Sequence, residues 1–393
     1  MKNDNINKKL RAVPLLLALL LVFSACSVVP ADNPDPVIDV PYVTVTATPD
    51  AAGEPEPTSG ATVSPSADPQ ATASPEPTED HDDPTPTPAG RYTTVTVNSQ
   101  TESEGQLVLV NYNHYYEHVS SADVIVRPAG AEYFLLTDRY DIRLTEEVYN
   151  QLFTLSIAFS TYTGGDKLCV TSGYRSLEDQ QRIYDEYAEE YGTEYANLYV
   201  ARPGTSEHHT GLAVDLSTMT ADGTRIALGS HRAGEWFNIV CTDYGFVLRY
   251  PEGTYSTTHV AAEPWHFRYI GTANAHAMTA MGLLTYEAYI ASIQDYSFDG
   301  GMLFVKNTPF STYLTPGTAE LNLPSDYIGT AHYDQETGTF TFDFDNPNPR
   351  GSLIWYVPAS DAANTNIRLP LGISSYTVSG TNDGGFIVTA EIG

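Results

Sequence analysis

Two short polar segments constrain the fold of this chain more than any other feature. The first reads Ser-Glu-His-His-Thr-Gly-Leu-Ala-Val-Asp over residues 206–215, and the second reads Glu-Pro-Trp-His over residues 263–266. Together they supply the imidazoles of His208 and His266 and the carboxylate of Asp215, a set that can hold one divalent metal ion. Only a fold that brings the two segments to one point can use this set.

The spacing inside the first segment indicates how these ligands could meet. Residues 210–211 are Thr-Gly, which favours a turn, and the apolar run at 212–216 predicts a short strand. We therefore expect His208 on a loop, Asp215 on that strand and His266 on a later strand. Three protein ligands that leave a fourth position open are typical of a catalytic zinc site rather than a structural one.

A second carboxylate, Glu263, lies three residues before His266. A metal-dependent hydrolase needs such a group to deprotonate the water bound to its metal. Pro264 keeps Glu263 extended. Because residues three apart in a regular strand face opposite sides, we expect Glu263 to lie just outside the strand that carries His266. The residue set predicts a metallopeptidase.

Two further polar residues accompany a predicted helix start. Arg175 comes immediately before the Ser-Leu-Glu-Asp sequence at 176–179, which has the form of a capping box. A guanidinium there could hold a carbonyl or carboxylate and could stabilise a developing oxyanion beside the metal. Gln180, one helical turn further on, could donate a hydrogen bond to substrate.

The N-terminus has the features of an export signal. Four basic residues within the first eleven precede an apolar run, Val13 to Phe23, that is short for a membrane span. The following Phe-Ser-Ala-Cys sequence resembles a bacterial lipobox, so residues 1–25 are predicted to be a lipoprotein-type signal peptide and Cys26 the lipidated residue. The alternative is an ordinary secretory signal. Either signal places the mature protein outside the cytoplasm, and lipidation would anchor it to the outer face of the bacterial cell membrane.

The charge of the chain excludes one class of partner. The formal net charge is −30, with 49 acidic and 19 basic residues. So acidic a protein is not expected to bind nucleic acid or anionic head groups through basic patches. The two remaining cysteines, Cys169 and Cys241, could form a disulfide outside the cytoplasm or remain buried thiols, and the sequence leaves both open.

Composition divides the rest of the chain into three parts. Residues 26–91 are rich in Pro, Thr, Ala and acidic groups, which predicts a disordered tether. Residues 92–295 mix helical and strand patterns without βαβ alternation, which predicts an α+β domain: a small antiparallel sheet with flanking helices that holds a single zinc site. Residues 296–393 alternate apolar and polar positions and are predicted to be a small all-β module with a structural or carbohydrate-binding role.

Individual elements are predicted from periodicity and end signals. A helix capped by Thr145 should bury Val148, Leu152, Leu155 and Phe159. The other predicted helices are 176–191, 235–244 and a helical stretch over 272–293, and the predicted strands are 107–111, 168–172, 212–216, 246–250 and 265–270.

These motifs together resemble a known family. Ser-Gly-Tyr-Arg-Ser with the later Gln, Ser-Glu-His-x-Thr-Gly-Leu-Ala-Val-Asp, Tyr-Gly-Phe with Arg-Tyr-Pro, and Glu-Pro-Trp-His-Phe-Arg-Tyr-Ile-Gly are similar to those of the VanY-type zinc D-alanyl-D-alanine carboxypeptidases, in the LAS-type metallopeptidase group. The resemblance covers about residues 105–285. It implies removal of the terminal D-alanine from peptidoglycan stem peptides that end in D-Ala-D-Ala.

The resemblance also implies roles for individual residues. Zinc would be held by His208, Asp215 and His266. Glu263 would act as general base and acid, Arg175 would assist the scissile carbonyl, and Ser206 and Gln180 would help to bind the peptide terminus. One departure concerns His209, which stands where the family often carries Gln and could compete for the metal.

Two rival functions stay open at the level of sequence. One is a peptidoglycan endopeptidase or D,D-dipeptidase of the same fold. The other is a non-catalytic cell-wall-binding lipoprotein, against which the presence of Glu263 argues, because binding alone does not require a base. We expect the protein to be a monomer.

Overall fold

The computed structural model describes most of the chain after the predicted tether. The described residues are 90–116, 124–126, 134–136, 142–345 and 349–393, and for 124–126 and 134–136 only the backbone is described. The predicted signal peptide, the lipidation site Cys26 and all but the last two residues of the predicted tether lie outside these ranges, so they stay predictions.

The described residues form a mixed helix and sheet structure. The strands are β1 (Tyr92–Asn98), β2 (Val124–Val126), β3 (Phe134–Leu136), β4 (Arg143–Thr145), β5 (Lys167–Ser172), β6 (Ala213–Met219), β7 (Arg225–Ala227), β8 (Phe246–Tyr250), β9 (Glu263–Tyr269), β10 (Met302–Lys306), β11 (Ile328–Asp334), β12 (Thr339–Phe342), β13 (Gly351–Pro358), β14 (Asn364–Pro370), β15 (Ile373–Gly380) and β16 (Gly385–Ile392). The α-helices are α1 (Glu146–Thr163), α2 (Leu177–Tyr191), α3 (Thr193–Tyr199), α4 (Gly234–Val240), α5 (Tyr255–Thr258), α6 (Thr272–Ala280) and α7 (Tyr286–Ile293).

One sheet carries both polar segments identified in the sequence. Its strand order is β3-β5-β6-β9-β8, and β7 pairs with β6. All of its pairs are antiparallel except β3–β5, which is parallel. The antiparallel sheet predicted for this part of the chain is therefore confirmed, with one parallel strand added at its edge.

Helix α1 packs on this sheet as its sequence predicts. Thr145 caps it, because its Oγ1 accepts a hydrogen bond from the backbone N–H of Val148 at 3.3 Å. Gly164, at φ 78°, ends it in the left-handed conformation that glycine adopts without strain. The predicted apolar stripe is buried in the core beneath the sheet; it consists of Val148, Leu152, Leu155 and Phe159.

Helix α2 begins as the capping box predicts. Ser176 Oγ accepts from the backbone N–H of Asp179 at 3.0 Å, and the same hydroxyl donates to the Asp179 carboxylate at 2.8 Å. The helix ends at Tyr191, the predicted residue. These bonds fix the backbone at Ser176, and they therefore also constrain Arg175, the residue before the cap.

The predictions for the later helices are right in place but too long. The helix expected over 235–244 is α4 followed by a 3-10 turn at Cys241–Tyr244, ended by Gly245 at φ 81°. The stretch expected over 272–293 is divided into α6 and α7. Gly282, at φ 70°, separates them, because that conformation cannot continue an α-helix.

The strand predicted over 107–111 is wrong. Residues 107–110 are buried, but they form no strand, and Asn111 makes only an isolated bridge to His114. Other groups satisfy this backbone: the N–H of Leu107 donates to Ser379 Oγ at 2.8 Å, and the N–H of Leu109 donates to the carbonyl of Thr381 at 2.8 Å. Burial without a ladder is possible because these backbone groups find partners elsewhere.

A second sheet is built from the C-terminal strands in the order β12-β11-β10-β13-β16-β15, with antiparallel pairing throughout. The turn at 381–384 joins β15 to β16, and the Asn-Asp-Gly-Gly sequence that begins at Asn382 is typical of a hairpin turn. Strand β1 pairs with β14, so the first described strand lies against one of the last. The apolar core on one side of the sheet includes Leu303, Ile354 and Ile387, and it is continuous with Tyr286 and Ile290 of α7.

Both cysteines of the described region are free, buried thiols, which answers the question left open by the sequence. Burial raises the pKa of Cys169 and of Cys241. Within the described ranges, no helix combines the length and apolarity needed to cross a bilayer.

Candidate metal centre

The candidate metal ligands meet because two strands are paired in one register. Asp215 on β6 lies directly opposite His266 on β9. His208 belongs to a 3-10 turn, Glu207–Thr210, that precedes β6 and ends at Gly211 with φ 70°. This left-handed glycine lets the chain reverse within a few residues, so a loop histidine and a strand carboxylate face the same point, as the sequence predicts.

The three side chains form a compact buried cluster. His208 Nε2 lies 3.4 Å from Asp215 Oδ2, and His266 Nδ1 lies 3.4 Å from Asp215 Oδ1. One ligand atom from each residue lies within 4.8 Å of the others, and all three residues are buried. Among the described residues, Asp215 Oδ1 has no hydrogen-bond partner. A buried carboxylate that has an imidazole nitrogen beside each of its oxygens, and one oxygen without a donor, fits a divalent cation.

The backbone holds His208 in the tautomer that a metal ligand needs. Its Nδ1–H donates to the carbonyl of Gly173 at 2.7 Å, which leaves the lone pair of Nε2 directed at the cluster. Burial, and then the charge of Arg175, lowers the pKa of His208 to about 4, so the ring is neutral at pH 7. Gly173 is required here, because a Cβ at this position would lie 2.4 Å from the carbonyl oxygen of Arg143.

Glu263 shares the cleft with His266, but not in the way the sequence suggests. It is the first residue of β9 rather than a residue outside the strand. Leu248 pairs with Phe267 and Tyr250 pairs with Glu263, so β9 has extra residues in this interval. That irregularity turns Glu263 to the side of His266, whose Nδ1 lies 3.3 Å from Glu263 Oε2. Burial raises the pKa of Glu263.

Arg175 lies beside the cluster, held on three sides. Its Nη2 is 2.9 Å from Asp215 Oδ2, its Nε donates to Ser172 Oγ at 2.9 Å, and its Nη1 donates to Gln180 Oε1 at 3.3 Å. Gln180 also donates from Nε2 to the carbonyl of Ala201 at 2.7 Å. The structure thus brings both predicted residues to the site, and both polar ends of Gln180 are used to fix its surroundings.

The remaining residues of the first segment have different surroundings. Ser206 is buried and precedes the turn that carries His208. His209 points away from the cluster: Gly204 N–H donates to its Nε2 at 3.0 Å, and its Nδ1–H donates to the carbonyl of Arg175 at 2.8 Å. The expectation that His209 could compete for the metal is therefore wrong, because the backbone occupies both of its ring nitrogens.

Comparison with known proteins matches this site to one family. Residues 141–272 match the VanY family, D-alanyl-D-alanine carboxypeptidase. Over 158 residues the chain is 35% identical to the bifunctional D-Ala-D-Ala dipeptidase and D-Ala-D-Ala carboxypeptidase VanXYC of Enterococcus gallinarum. The aligned region covers 39% of this chain and 81% of that relative. This chain belongs to the VanY family. The resemblance inferred from the motifs is confirmed.

Two further comparisons place the VanY-family chain among its relatives. A D-alanyl-D-alanine carboxypeptidase of Enterococcus faecalis (strain ATCC 700802 / V583) is 37% identical over 155 residues, which is 37% of this chain and 54% of that relative. The chain therefore spans about half the length of this second relative. The crystal structure of the vancomycin resistance D,D-dipeptidase VanXYg, in complex with a D-Ala-D-Ala phosphinate analog, has a TM-score of 0.58 and 28% sequence identity, covering 77% of this chain and 100% of that one.

One polar residue at the site of this VanY-family chain escaped the sequence analysis. Glu207 is 1% exposed, and its Oε1 accepts from Arg249 Nε at 2.8 Å and from Arg268 Nη1 at 2.9 Å. Both arginines are fully buried, Arg249 in the otherwise apolar strand β8 and Arg268 between the aromatic residues Phe267 and Tyr269 of β9. An arginine in such a strand requires a buried partner, and this was the signal in the sequence that could have pointed to Glu207.

Proposed function

We propose that this chain is a zinc-dependent D,D-carboxypeptidase that removes the terminal D-alanine from peptidoglycan stem peptides. The observation that carries the proposal is the register of β6 and β9, which sets Asp215 opposite His266 with His208 and Glu263 beside them. Membership of the VanY family supports the substrate class. The donor set of two imidazoles and one carboxylate supports zinc, which commonly takes three such ligands in catalytic sites.

Each residue of the cluster has a distinct part in this proposal. His208 Nε2, Asp215 and His266 Nδ1 would hold the metal. When bound, zinc supplies a Lewis acid and lowers the pKa of a coordinated water to about 7.

Glu263 would carry the proton through the reaction. Its carboxylate takes a proton from the attacking water, and the amide C–N bond breaks as that proton passes to the leaving amine of D-alanine. The products are the shortened peptide carboxylate and free D-alanine. Because burial raises the pKa of Glu263, its proton affinity is closer to that of the water it serves.

Arg175 would bind the developing negative charge at the scissile carbonyl. Its side chain is only 15% exposed and is fixed by Ser172 and Gln180, so little reorganisation is needed when charge appears. We assign Gln180 to positioning Arg175, and we retain Ser206 and Gln180 as proposed contacts to the peptide terminus.

The test compares Glu263→Gln with a matched control, Glu252→Gln, at an exposed position. Loss of a positioned general base costs about 10²–10⁴-fold in rate. We expect a loss of that order in D-alanine release for Glu263→Gln, with zinc still bound at one equivalent, and wild-type rates for Glu252→Gln. Undiminished release by Glu263→Gln would disprove the role of this base.

A second activity deserves a parallel test because of the relatives. VanXYC is described as both a D-Ala-D-Ala dipeptidase and a carboxypeptidase, and VanXYg is described as a D,D-dipeptidase. Incubating the protein with the free dipeptide D-Ala-D-Ala and, separately, with a pentapeptide measures both. Faster turnover of the dipeptide would favour the dipeptidase alternative.

The remaining parts of the chain have proposed roles that rest on their sequence. We propose that Cys26 is lipidated after removal of residues 1–25, and that residues 26–91 tether the enzyme to the outer face of the membrane. Mass spectrometry of the mature N-terminal peptide, with Cys26→Ser as control, tests this.

We propose that residues 296–393 form a small all-β module, and the core it shares with α7 favours a structural role. We also propose that the protein is a monomer, and its molar mass from sedimentation equilibrium tests this.

A further inference from the structure

The ring of His266 is contacted by carboxylates on both of its nitrogens. Nδ1 faces the candidate metal position, 3.4 Å from Asp215 Oδ1 and 3.3 Å from Glu263 Oε2. Nε2 faces the other way, 3.5 Å from Glu207 Oε2. Among the described residues, neither Nε2 of His266 nor Oε2 of Glu207 has a hydrogen-bond partner, and both atoms are buried. The two atoms therefore lie 3.5 Å apart with no other hydrogen-bond partner among the described residues.

We infer that Glu207 is a positioning residue of the metal centre, whose Oε2 accepts the Nε2–H of His266 and so directs the lone pair of Nδ1 to the metal. A neutral imidazole carries one N–H, and the hydrogen bond made by one nitrogen decides which nitrogen is free to coordinate. Partners of this kind fix the tautomer and the ring orientation of metal-bound histidines. The inference rests on the proposed metal site.

Glu207 is held so that this second oxygen has a fixed direction. Its Oε1 accepts from both Arg249 and Arg268, and the two guanidiniums are 0% exposed in their side chains. Arg249 is held in turn by Glu287 of α7, with Nη1–Oε2 and Nη2–Oε1 contacts of 2.9 and 2.6 Å. Because three of these four side chains are fully buried, the carboxylate has little freedom to rotate.

The charge balance keeps Glu207 an acceptor. Its Oε1 accepts from the guanidiniums of both Arg249 and Arg268, and two such cations beside one carboxylate favour its ionised form. An ionised carboxylate has only acceptor sites, so the hydrogen between Glu207 and His266 must belong to His266 Nε2. In His208 the two nitrogens are reversed: Nδ1–H donates to a backbone carbonyl, and Nε2 is the nitrogen left free to coordinate.

A simpler role for Glu207 is neutralisation of the two arginines. That role uses Oε1, which both arginines contact, and it does not require Oε2 to face His266. The two roles predict different effects of Glu207→Gln. An amide can keep its oxygen on the arginines, but its NH₂ then faces His266 Nε2 and favours the Nδ1–H tautomer, which cannot coordinate the metal through Nδ1.

The first experiment measures zinc affinity by competition with a chromophoric chelator. Losing a partner of this kind typically costs 10–100-fold in metal affinity, and we expect a loss of about that size for Glu207→Gln. The matched control is Asp243→Asn, which alters another carboxylate–histidine pair, because the partners of Asp243 are His276 and the backbone of Phe310 and Ser311 rather than His266. We expect the control to keep the wild-type affinity even where it unfolds at lower denaturant concentration.

The second experiment needs no variant. Long-range ¹H–¹⁵N spectra of zinc-loaded wild-type protein report which nitrogen of His266 carries the proton. A protonated Nε2 supports the inference, whereas coordination through Nε2 overturns it even if Glu207→Gln fails to fold. Equal zinc affinity in the wild type and in Glu207→Gln also overturns it. Failure of the wild type to bind zinc would instead refute the proposed metal site.

Discussion

Replacing Arg268 with methionine removes one guanidinium from the fully buried centre of the domain. The side chain is 0% exposed and makes four hydrogen bonds: to Glu207 Oε1 at 2.9 Å, and to the carbonyls of Gln106, Val108 and Tyr269 at 2.8, 2.9 and 3.1 Å. Methionine has a similar length but no donor. The variant therefore leaves three carbonyls without this donor and leaves Glu207 with Arg249 alone.

The expected loss of stability is large for one substitution. Removing one partner of a buried ion pair costs about 3–5 kcal/mol, because the other charge stays buried. Arg249 still neutralises Glu207 here, so we expect the lower end of that range, about 3 kcal/mol. For a domain of this size, 1 kcal/mol shifts the melting temperature by roughly 2–4 °C, so the shift should be roughly 6–12 °C.

Urea unfolding followed by tryptophan fluorescence measures this free energy. The control is Arg182→Met, because Arg182 is exposed on α2 and pairs with Glu186 one turn away at 2.9 Å. Exposed ion pairs on a helix contribute about 0.3–0.5 kcal/mol, so Arg182→Met should lower the free energy of unfolding by no more than about 0.5 kcal/mol. A loss below about 1 kcal/mol for Arg268→Met would show that this buried ion pair does not dominate the local stability.

Three other predictions concern residues outside the metal cluster. Asp243 accepts hydrogen bonds from the backbone of Phe310 and from His276, and these bonds outweigh burial, so the pKa of Asp243 is lowered. Asp243→Asn should lower the free energy of unfolding by about 1–3 kcal/mol at neutral pH. In urea titrations, the difference in this free energy between wild type and variant should narrow as the pH falls through the lowered pKa of Asp243, below 3.8. Ser176→Ala removes the cap of α2 and should lower the free energy of unfolding by about 1 kcal/mol. An unchanged free energy of unfolding would show that this cap does not stabilise the helix. Cys169 and Cys241 are buried thiols, so peptide mapping should find both alkylated only after unfolding.

The residues that carry chemistry could be predicted because their signals are local. His208 and Asp215 lie within one segment, and the turn between them is visible as Thr-Gly. The caps at Thr145 and Ser176 also act within three residues of themselves, and both helices begin where these caps predict. Short-range hydrogen bonds of this kind depend little on the rest of the fold.

The features that escaped prediction depend on contacts far apart in the sequence. The burial of Glu207 depends on Arg249 and Arg268, which come from two later strands. Residues 107–110 look like a strand by composition, but their backbone is satisfied by Arg268 and by the turn after β15. Likewise, the pairing of β1 with β14 joins opposite ends of the described chain, and no local pattern encodes it.

The side on which Glu263 lies shows the same limit at a smaller scale. Alternation in a regular strand places it opposite His266, and the sequence could reconcile the two only by moving Glu263 out of the strand. The structure instead uses a register irregularity between β8 and β9. A bulge of this kind depends on the partner strand, so the sequence of β9 alone does not reveal it.

The most direct test of the central proposal is D-alanine release from a pentapeptide ending in D-Ala-D-Ala, measured on the purified protein with and without a chelator. We expect release of one D-alanine per peptide, loss of activity when the chelator removes the metal, and recovery when zinc is restored. Absence of release by protein that holds one zinc per chain would contradict the proposal, and so would release that continues at the same rate after the chelator has removed the metal.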